Sequence, residues 1–229
     1  MTASPLKDQD FTRVGRSALL DTLEQQGAVF QGCNFDEVNL DNAELDDLTF
    51  QNCRFTGASF RGAEITSCRF EKCTLNSVDF RYARFDTVNF DTCTCLGLNL
   101  GDATASDCSF QGSKMSGAIL KGLRCLDLKI DRAIFESADL SGLYLKDRHI
   151  KGVDFSNADL SRADLRGCLF DDCSFVGAEF RNAKLASADL RASQLGQIAL
   201  HDMARDMKGA IISTTQAADL LQDFGLVVA

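Results

Sequence analysis

The sequence predicts an all-β solenoid, because large apolar side chains recur at every fifth position from Phe30 to Leu200. Of the 35 positions in this series, all but Cys95, Ala105 and Cys125 carry Phe or a large aliphatic residue. Neither an α-helix, with 3.6 residues per turn, nor a strand, with a period of two, keeps such a spacing on one face. A short repeat that runs this far without insertion indicates a solenoid.

A second position of the repeat is equally regular. Two residues before each large residue stands a small or modest one, from Ala28 and Cys33 to Ala188. The residue between the two is often Asp or Asn, as at Asn34 and Asp159. Gly or Ser often follows two places after the large residue. Units of the form Ala-Asp-Leu-Ser-Xaa and Cys-Asn-Phe-Xaa-Xaa result.

In these units the chain resembles the pentapeptide-repeat proteins. The resemblance implies a right-handed quadrilateral β-helix, in which four units form one square turn and the large and small residues both point inward. Residues 20 apart would then stack at roughly the 4.8 Å spacing of paired strands. Two columns of the predicted interior are Phe30, Phe50, Phe70, Phe90, Phe110 and, narrowing at its middle, Leu45, Ile65, Phe85, Ala105, Cys125, Leu145.

We expect three segments along the chain. Residues 1–29 form an N-terminal helical cap, residues 30–204 the β-helix, and residues 205–229 a C-terminal helix and strand. At the start, Ser17 is expected to cap a short helix that contains Leu19 and Leu23 and ends at Gly27. Phe11 is one residue out of register and fits either an incomplete coil or the cap.

The ten cysteines are all expected in the core. Eight of them occupy the small inward position, and Cys95 and Cys125 occupy the large one. Cysteine is readily buried as a small hydrophobic residue. A zinc site is disfavoured, because the only histidines, His149 and His201, do not accompany the Cys93-Thr-Cys95 pair. No metal or other cofactor is expected, and the filled interior is expected to leave no pocket of ligand size.

One unit departs from the pattern, because the small inward position falls on Arg148. Burying an unpaired guanidinium is costly. We expect a local bulge that turns Arg148 outward. The alternative is a surface feature in which Arg148 and His149 contact a partner.

The C-terminal tail is too apolar to remain exposed. Ser213 or Thr214 can cap a helix that ends at Gly225, and an apolar strand is expected over residues 226–229. The tail either plugs the last coil or also joins a second chain, and we expect a tail-to-tail homodimer, since two-fold association is common. The expected interface residues are Ala217, Leu220, Leu221, Phe224, Leu226, Val227 and Val228.

The tail makes the resemblance more specific, because it is similar to the C-terminal ending of the gyrase-protecting pentapeptide-repeat proteins. These include the Qnr, MfpA and albicidin-resistance types. The resemblance implies a dimeric rod that mimics duplex DNA and binds DNA gyrase or topoisomerase IV. Long loops of the kind found in many Qnr proteins have no room in the unbroken register, so the loopless MfpA type is the closer comparison.

The net charge is −9, and the acids fall on outward positions. Such rows of carboxylates attract the basic surface of a partner. The alternative is that they only keep the protein soluble. An acidic rod repels phosphates, so direct nucleic acid binding is not expected. The acids expected to face the partner are Asp36, Glu37, Asp41, Glu44, Asp46, Asp47, Asp86, Asp107, Asp127, Asp154, Asp159 and Asp164.

Other function classes receive little support. No nucleophile stands beside a histidine at catalytic spacing, so an enzyme is not expected. No signal peptide is recognised, and no apolar run reaches the roughly 18 residues of a membrane span. A cytoplasmic location follows as an expectation. The alternative to a DNA mimic is a structural or scaffolding repeat protein with an unrelated protein partner.

Overall fold

The computed structural model describes residues 5–196, 205–223 and 225–227. It confirms the solenoid and the interval of 20 residues per coil. Phe30 pairs with Phe50 and Phe50 with Phe70, in parallel and without a shift of register. About nine coils form a right-handed quadrilateral β-helix, with a helix at each end.

The four sides of each coil are named here by their large inward residues. Faces 1, 2, 3 and 4 contain Phe30, Phe35, Leu40 and Leu45, respectively, and every twentieth residue after each of them. Faces 1 and 4 carry the named strands, whereas faces 2 and 3 are held by isolated parallel bridges such as Asn34 to Arg54.

Most strands are two or three residues long, because each face of a coil ends in a turn after five residues. Their bounds are β1 Leu6–Lys7, β2 Val29–Gln31, β3 Glu44–Asp46, β4 Thr49–Gln51, β5 Glu64–Thr66, β6 Arg69–Glu71, β7 Arg84–Asp86, β8 Asn89–Asp91, β9 Thr104–Ser106, β10 Cys108–Ser109, β11 Arg124–Cys125, β12 Leu128–Lys129, β13 His149–Lys151, β14 Leu169–Ser174 and β15 Asp189–Gln194. The helices are α1 Arg16–Leu23 and α2 Thr214–Asp223.

The core is the interior of the rod. Every described residue of the five-residue series is buried except Cys125. The predicted column of phenylalanines on face 1 is stacked, with ring centroids 5.0 Å apart between Phe50 and Phe70 and again between Phe70 and Phe90. Burial of each such ring contributes roughly 1.5–3 kcal/mol before conformational entropy is subtracted.

The turns explain the Gly and Ser two places after each large residue. This position has a left-handed backbone in all described units except those of Asp127 and Ala192, with φ of 70° at Gly57 and 53° at Asn52. Even Tyr82 adopts it, at φ 62°. Bonds between coils hold the position, as when the Tyr82 N–H donates to the Gly101 carbonyl at 3.2 Å. The ladder therefore imposes this backbone on residues that would otherwise avoid it.

At the N-terminal end, the incomplete-coil interpretation of Phe11 is the correct one. Strand β1 pairs with β2, with Leu6 beside Phe30, and the Phe11 ring stacks on Phe35 at 4.6 Å. The paired residues are 24 positions apart here instead of 20, because α1 is inserted into this first coil. Parallel pairing thus begins before residue 30, inside the segment expected to be only a cap.

The prediction that Ser17 caps α1 is wrong. The helix begins at Arg16, and Gly15 before it provides no side-chain hydrogen bond. Burial of Leu19 and Leu23, each 2% exposed, fixes the helix over the first coil. The apolar face, rather than a capping hydroxyl, therefore sets where this helix begins.

At the C-terminal end, α2 packs on the last coil. Ser213 caps it as predicted, since the Gln216 N–H donates to Ser213 Oγ at 3.1 Å. The Gln216 side chain in turn donates to the carbonyls of Leu190 and Ser193, at 2.8 and 2.6 Å. Leu226 and Val227 are not in a strand, because they pair with no strand in the part of the chain that the structure describes. Leu200, Phe224, Val228 and the boundary at residue 204 lie outside the described residues.

The ladder between coils opens at one place. Arg84, Thr104 and Arg124 each donate a backbone N–H to the coil before them. The next bond of this series, from Tyr144 to Leu123, is missing. No backbone hydrogen bond joins the described segments 122–130 and 142–150, and both sheets are interrupted there. Faces 2 and 3 remain bridged at the same level, through Lys114 to Ile134 and Ile119 to Asp139.

Arg148 lies at this opening, and the expected bulge is wrong. The Arg148 backbone keeps its register, since the Leu169 N–H donates to the Arg148 carbonyl at 2.9 Å. Its guanidinium bridges the opening instead, donating to the Leu126 carbonyl at 2.6 Å and pairing with Asp127 Oδ1 at 2.8 Å. The Arg148 side chain thus reaches across the gap between two coils to an exposed carboxylate and stays 33% exposed, without a bulge in the backbone. His149 is exposed on face 1.

Candidate partner-binding surface

The structure divides the predicted partner-facing acids by their exposure. Seven are exposed, four are half-buried and one is buried. The exposed acids are Glu37, Glu44, Asp46, Asp47, Asp86, Asp107 and Asp127; the half-buried acids are Asp36, Asp41, Asp154 and Asp159; the buried acid is Asp164.

Most of the exposed acids lie along one corner of the rod, between faces 4 and 1. We call this row the acidic edge, and its members are Asp46, Asp47, Asp86, Asp107, Asp127 and Asp147. Asp147 was missing from the sequence prediction, although its 20-residue interval from Asp127 could have identified it. Glu44 lies beside the edge on face 4, whereas Glu37 lies on the opposite corner. The fold therefore brings distant carboxylates into one line.

Ion pairs neutralise part of the acidic edge. Lys129 Nζ lies 2.9 Å from Asp107, Lys146 Nζ lies 3.3 Å from Asp147, and Arg148 pairs with Asp127. The three carboxylates remain 52%, 67% and 60% exposed. Exposed pairs of this kind are worth little and leave the acids available to a stronger partner.

The other three members of the acidic edge have no ion pair within the described residues. Asp46 accepts only a hydrogen bond from the Gln26 amide, at 2.8 Å, and Asp86 one from the Thr87 hydroxyl, at 3.1 Å. Together with Asp47, these acids place uncompensated negative charge toward the N-terminal half of the rod. An exposed row of like charge attracts a basic surface over about a Debye length.

The half-buried acids serve the fold. Asp154 and Asp159 accept N–H bonds from Ser156 and Ser161 within their own turns, at 2.9 and 2.8 Å. Asp36 and Asp41 accept N–H bonds from the next coil, at 2.7 and 3.0 Å. These four carboxylates hold turns and coils together, so their contribution to a partner surface is smaller than the sequence suggested.

Asp164 is the clearest structural acid. The Arg166 guanidinium donates to both of its carboxylate oxygens, at 2.8 and 2.6 Å. These hydrogen bonds hold the pKa of Asp164 below its ordinary value, against the opposing effect of burial. A carboxylate that is buried and already paired contributes little to an external surface.

A groove lies on face 4 beside the acidic edge. Its volume is about 710 Å³, and it extends over five coils, from Glu64 to Tyr144. Its floor is formed where Ala105 and Cys125 replace the large residues of the series. The expectation that the filled rod leaves no pocket of ligand size is therefore wrong. Two small residues in succession in one column leave the wall of the rod concave.

The cysteines are mainly core residues, as expected. Nine of the ten are buried, but Cys125 is half-buried at the groove, so its assignment to the core is wrong in part. Burial raises the pKa of Cys68 and Cys108 to about 12 and that of Cys125 to about 11. Since the thiolate is the reactive form, these raised pKa values make the thiols slow to react at neutral pH. Within the described ranges, no cluster of three or more His, Cys, Asp or Glu side chains could hold a metal ion.

The tail residues expected at a dimer interface separate into two groups. Leu220 is 3% exposed, because it packs on the last coil of its own chain, and Ala217 is half-buried. Leu221, Leu226 and Val227 are 38%, 54% and 93% exposed. Only the second group offers apolar surface to another chain. Among the described residues, no helix has the length and hydrophobicity needed to cross a lipid bilayer.

Comparisons with solved structures support the architecture. The full-length structure of QnrB1, a plasmid-mediated fluoroquinolone resistance protein, has a TM-score of 0.70 at 18% identity, covering 87% of this chain and 100% of that one. A trypsin-treated variant of QnrB1 has a TM-score of 0.58 at 21% identity, with coverage of 88% and 97%.

Sequence comparison identifies the family. None of the curated proteins matches the sequence significantly. A family model described as a pentapeptide repeat region matches residues 20–80, and one described as pentapeptide repeats (8 copies) matches residues 88–122 and 154–191. The two models together cover more than half of the chain and the coils described above. The chain therefore belongs to the pentapeptide-repeat family.

Proposed function

We propose that this protein mimics DNA, binds DNA gyrase or topoisomerase IV, and protects the enzyme from an antibiotic or toxin that targets it. The observation that carries the proposal is the acidic edge along the rod. At roughly 4.8 Å per coil the rod is about 40 Å long, comparable to a dozen base pairs of duplex. A basic DNA-binding surface of a topoisomerase would meet these carboxylates in place of phosphates.

The likeness to QnrB1 supports the choice of partner class. QnrB1 is a fluoroquinolone resistance protein, and most of each chain superimposes on the other. Fluoroquinolones target type II topoisomerases, so a protein of this shape is suited to that enzyme class. The action is binding rather than catalysis, and the place of action is the bacterial cytoplasm, where the topoisomerases work.

A homodimer through the C-terminal tail is part of the proposal. Leu221, Leu226 and Val227 supply exposed apolar surface next to α2. Two-fold pairing at this end would bury the patch and join two rods into a longer one. Leu220 is excluded from the interface, because its own chain already buries it.

A supercoiling assay with purified gyrase tests the function. We expect the protein to inhibit supercoiling alone at high concentration and to restore it in the presence of a fluoroquinolone at lower concentration. The test variant is Asp46→Asn, Asp47→Asn and Asp86→Asn, which removes the unpaired charge of the acidic edge. It should lose both effects.

The matched control is Asp131→Asn, Glu136→Gln and Asp172→Asn, which removes the same charge from exposed acids on other corners. It should keep both effects, since it leaves the acidic edge intact. Absence of inhibition and of rescue by the unmodified protein would refute the proposal. Equal loss in the two triple variants would show that net charge, not the edge, matters.

A scaffolding role is the second candidate. It is favoured by exposed apolar side chains on the faces away from the acidic edge, where Ile119 and Ile134 are each 38% exposed. Substituting both with Ala would then abolish partner binding while leaving gyrase unaffected. The DNA-mimic proposal expects no effect of this change on the supercoiling assay.

A further inference from the structure

The groove on face 4 is an incompletely filled part of the core, open to solvent. Ala105 and Cys125 occupy positions that carry a large residue in almost every other unit. A void of about 10 Å³ remains beneath Ala105, next to Phe85 and Phe110. The floor of the groove is thus apolar and lacks the volume of one large side chain. Burying such a side chain there would be favourable.

The walls of the groove also offer backbone hydrogen bonds. Because the ladder is open between segments 122–130 and 142–150, the Leu123 carbonyl and the Tyr144 N–H have no backbone partner among the described residues. Strand β11 therefore has one unpaired edge, as do the residues facing it across the opening. Unpaired strand edges are the sites at which extended peptides add to a sheet.

The rim adds charges. Glu64 forms an ion pair with Arg84, whereas Asp86 and Arg124 have no ion pair within the described residues. Asp86 also belongs to the acidic edge, so this side of the groove continues into the negative surface. Leu126 and Tyr144, 76% and 51% exposed, flank the opening and can cover an inserted side chain.

We propose that the groove binds an extended peptide segment of the protein partner, with one bulky apolar side chain inserted over Ala105 and Cys125. A basic residue of the segment meets Asp86, and an acceptor oxygen meets Arg124. Segment backbone groups pair with the open edge of β11. The proposal rests on the proposed function in naming the topoisomerase as source of the segment. The groove is the short-range anchor, and the acidic edge provides the long-range attraction.

A variant that fills the groove is available from the repeat itself. Ala105→Leu with Cys125→Leu restores the residue type found at the corresponding positions of other coils. The variant should fold and melt at or above the temperature of the unmodified protein, so loss of binding cannot be attributed to unfolding. Ile119→Ala with Ile134→Ala, on faces 2 and 3, is the control that changes apolar surface elsewhere.

The test is selection of a displayed library of random octapeptides on the purified full chain, followed by affinity measurement. We expect selected peptides to share a large apolar residue flanked by Lys or Arg. Their affinity should fall by about tenfold or more in the filled variant and remain unchanged in the control. Failure to select such peptides, or equal affinity for the filled variant, would overturn the proposal.

Two further measurements separate this proposal from the proposed function. If gyrase binds the unmodified protein and the filled variant equally, the groove proposal is wrong and the acidic-edge function stands. If gyrase binds neither while the octapeptides still require the groove, the proposed function is wrong and the peptide site stands. If sedimentation shows a dimer that the filled variant loses, the occupant is a second copy, which contradicts a partner segment.

Discussion

Cys125 differs from the other cysteines because it occupies a large inward position at the open groove. Its thiol is half-buried, whereas the remaining nine are buried. Burial raises the pKa of the Cys125 thiol to about 11, so the thiolate fraction at neutral pH is small. Accessibility and a high pKa together predict a thiol that reacts slowly but selectively.

Iodoacetamide labelling of the native protein should therefore modify Cys125 first. The rate should rise about tenfold per pH unit below pH 11, since the thiolate is the reactive form. Mass spectrometry of the Cys125→Ser variant should show that this early labelling is lost, whereas Cys95→Ser should leave it unchanged. Rapid labelling of several cysteines without denaturant would contradict the burial described here.

Phe70 lies at the centre of the stacked column on face 1, fully buried between Phe50 and Phe90. Phe70→Ala should destabilise the rod by about 3–5 kcal/mol, because the narrow interior cannot collapse around the cavity. Val176→Ala, at a side chain that is 44% exposed, should change stability by less than about 0.5 kcal/mol. Urea melts of the two variants would measure both changes in unfolding free energy. Equal unfolding free energies for the two variants would be incompatible with the assigned register.

Asp164 and Arg166 predict a specific pH dependence. Since folding lowers the pKa of Asp164, its contribution to stability is present above the ordinary value of about 3.9 and is lost as the pH falls through the folded value. Asp164→Asn should reduce the loss of unfolding free energy between pH 7 and pH 3. Glu136→Gln, at an exposed and unpaired acid, is the control and should reduce it less. An unchanged pH profile for Asp164→Asn would refute this role.

At the scale of elements, α2 and the tail beyond it allow the dimer to be tested without unfolding the end of the rod. Leu221→Glu with Leu226→Glu changes exposed residues only, so the helix should remain docked through Leu220 and Gln216. We expect a dimer of the unmodified protein and a monomer of this variant in analytical ultracentrifugation. Gln222→Glu, on the same helix, should stay dimeric. If the Leu221→Glu, Leu226→Glu variant stays dimeric, the tail is not the interface.

The regular elements were predictable from the sequence, whereas the opening in the ladder was not. The five-residue series specifies which side chain points inward at each unit, so parallel pairing of successive coils on all four faces follows from it. Ala105, Cys125 and Arg148 were each recognisable as exceptions. The opening that they form together involves three successive coils. The small side chains of Ala105 and Cys125 on face 4 and the guanidinium of Arg148 on face 1 lie at the same corner of the rod.

The ends of the rod show a second reason for error. Capping hydroxyls and apolar runs are local sequence signals, and such a signal correctly predicted that Ser213 caps α2. The start of α1 and the absence of a strand at Leu226 and Val227 are decided by what the neighbouring coil, or a second chain, offers. Local sequence patterns contain no information about such a partner.

At the scale of the whole molecule, the distribution of charge follows from the interval of 20 residues. Outward residues that are 20 positions apart lie above one another on successive coils, which is why Asp107, Asp127 and Asp147 align. The sequence could identify outward acids, but not which of them pair with a neighbouring base. Asp164 and Asp36 were both expected at the partner surface, and both are held by arginines.

The most direct test of the central claim is a competition between this protein and duplex DNA for purified gyrase. Fluorescently labelled DNA bound to gyrase should be displaced by the unmodified protein, and increasing salt should weaken the displacement. Asp46→Asn with Asp47→Asn and Asp86→Asn should displace the DNA about tenfold less well, whereas the control triple variant should act like the unmodified protein. Simultaneous binding of protein and DNA, or no binding at all, would contradict the account.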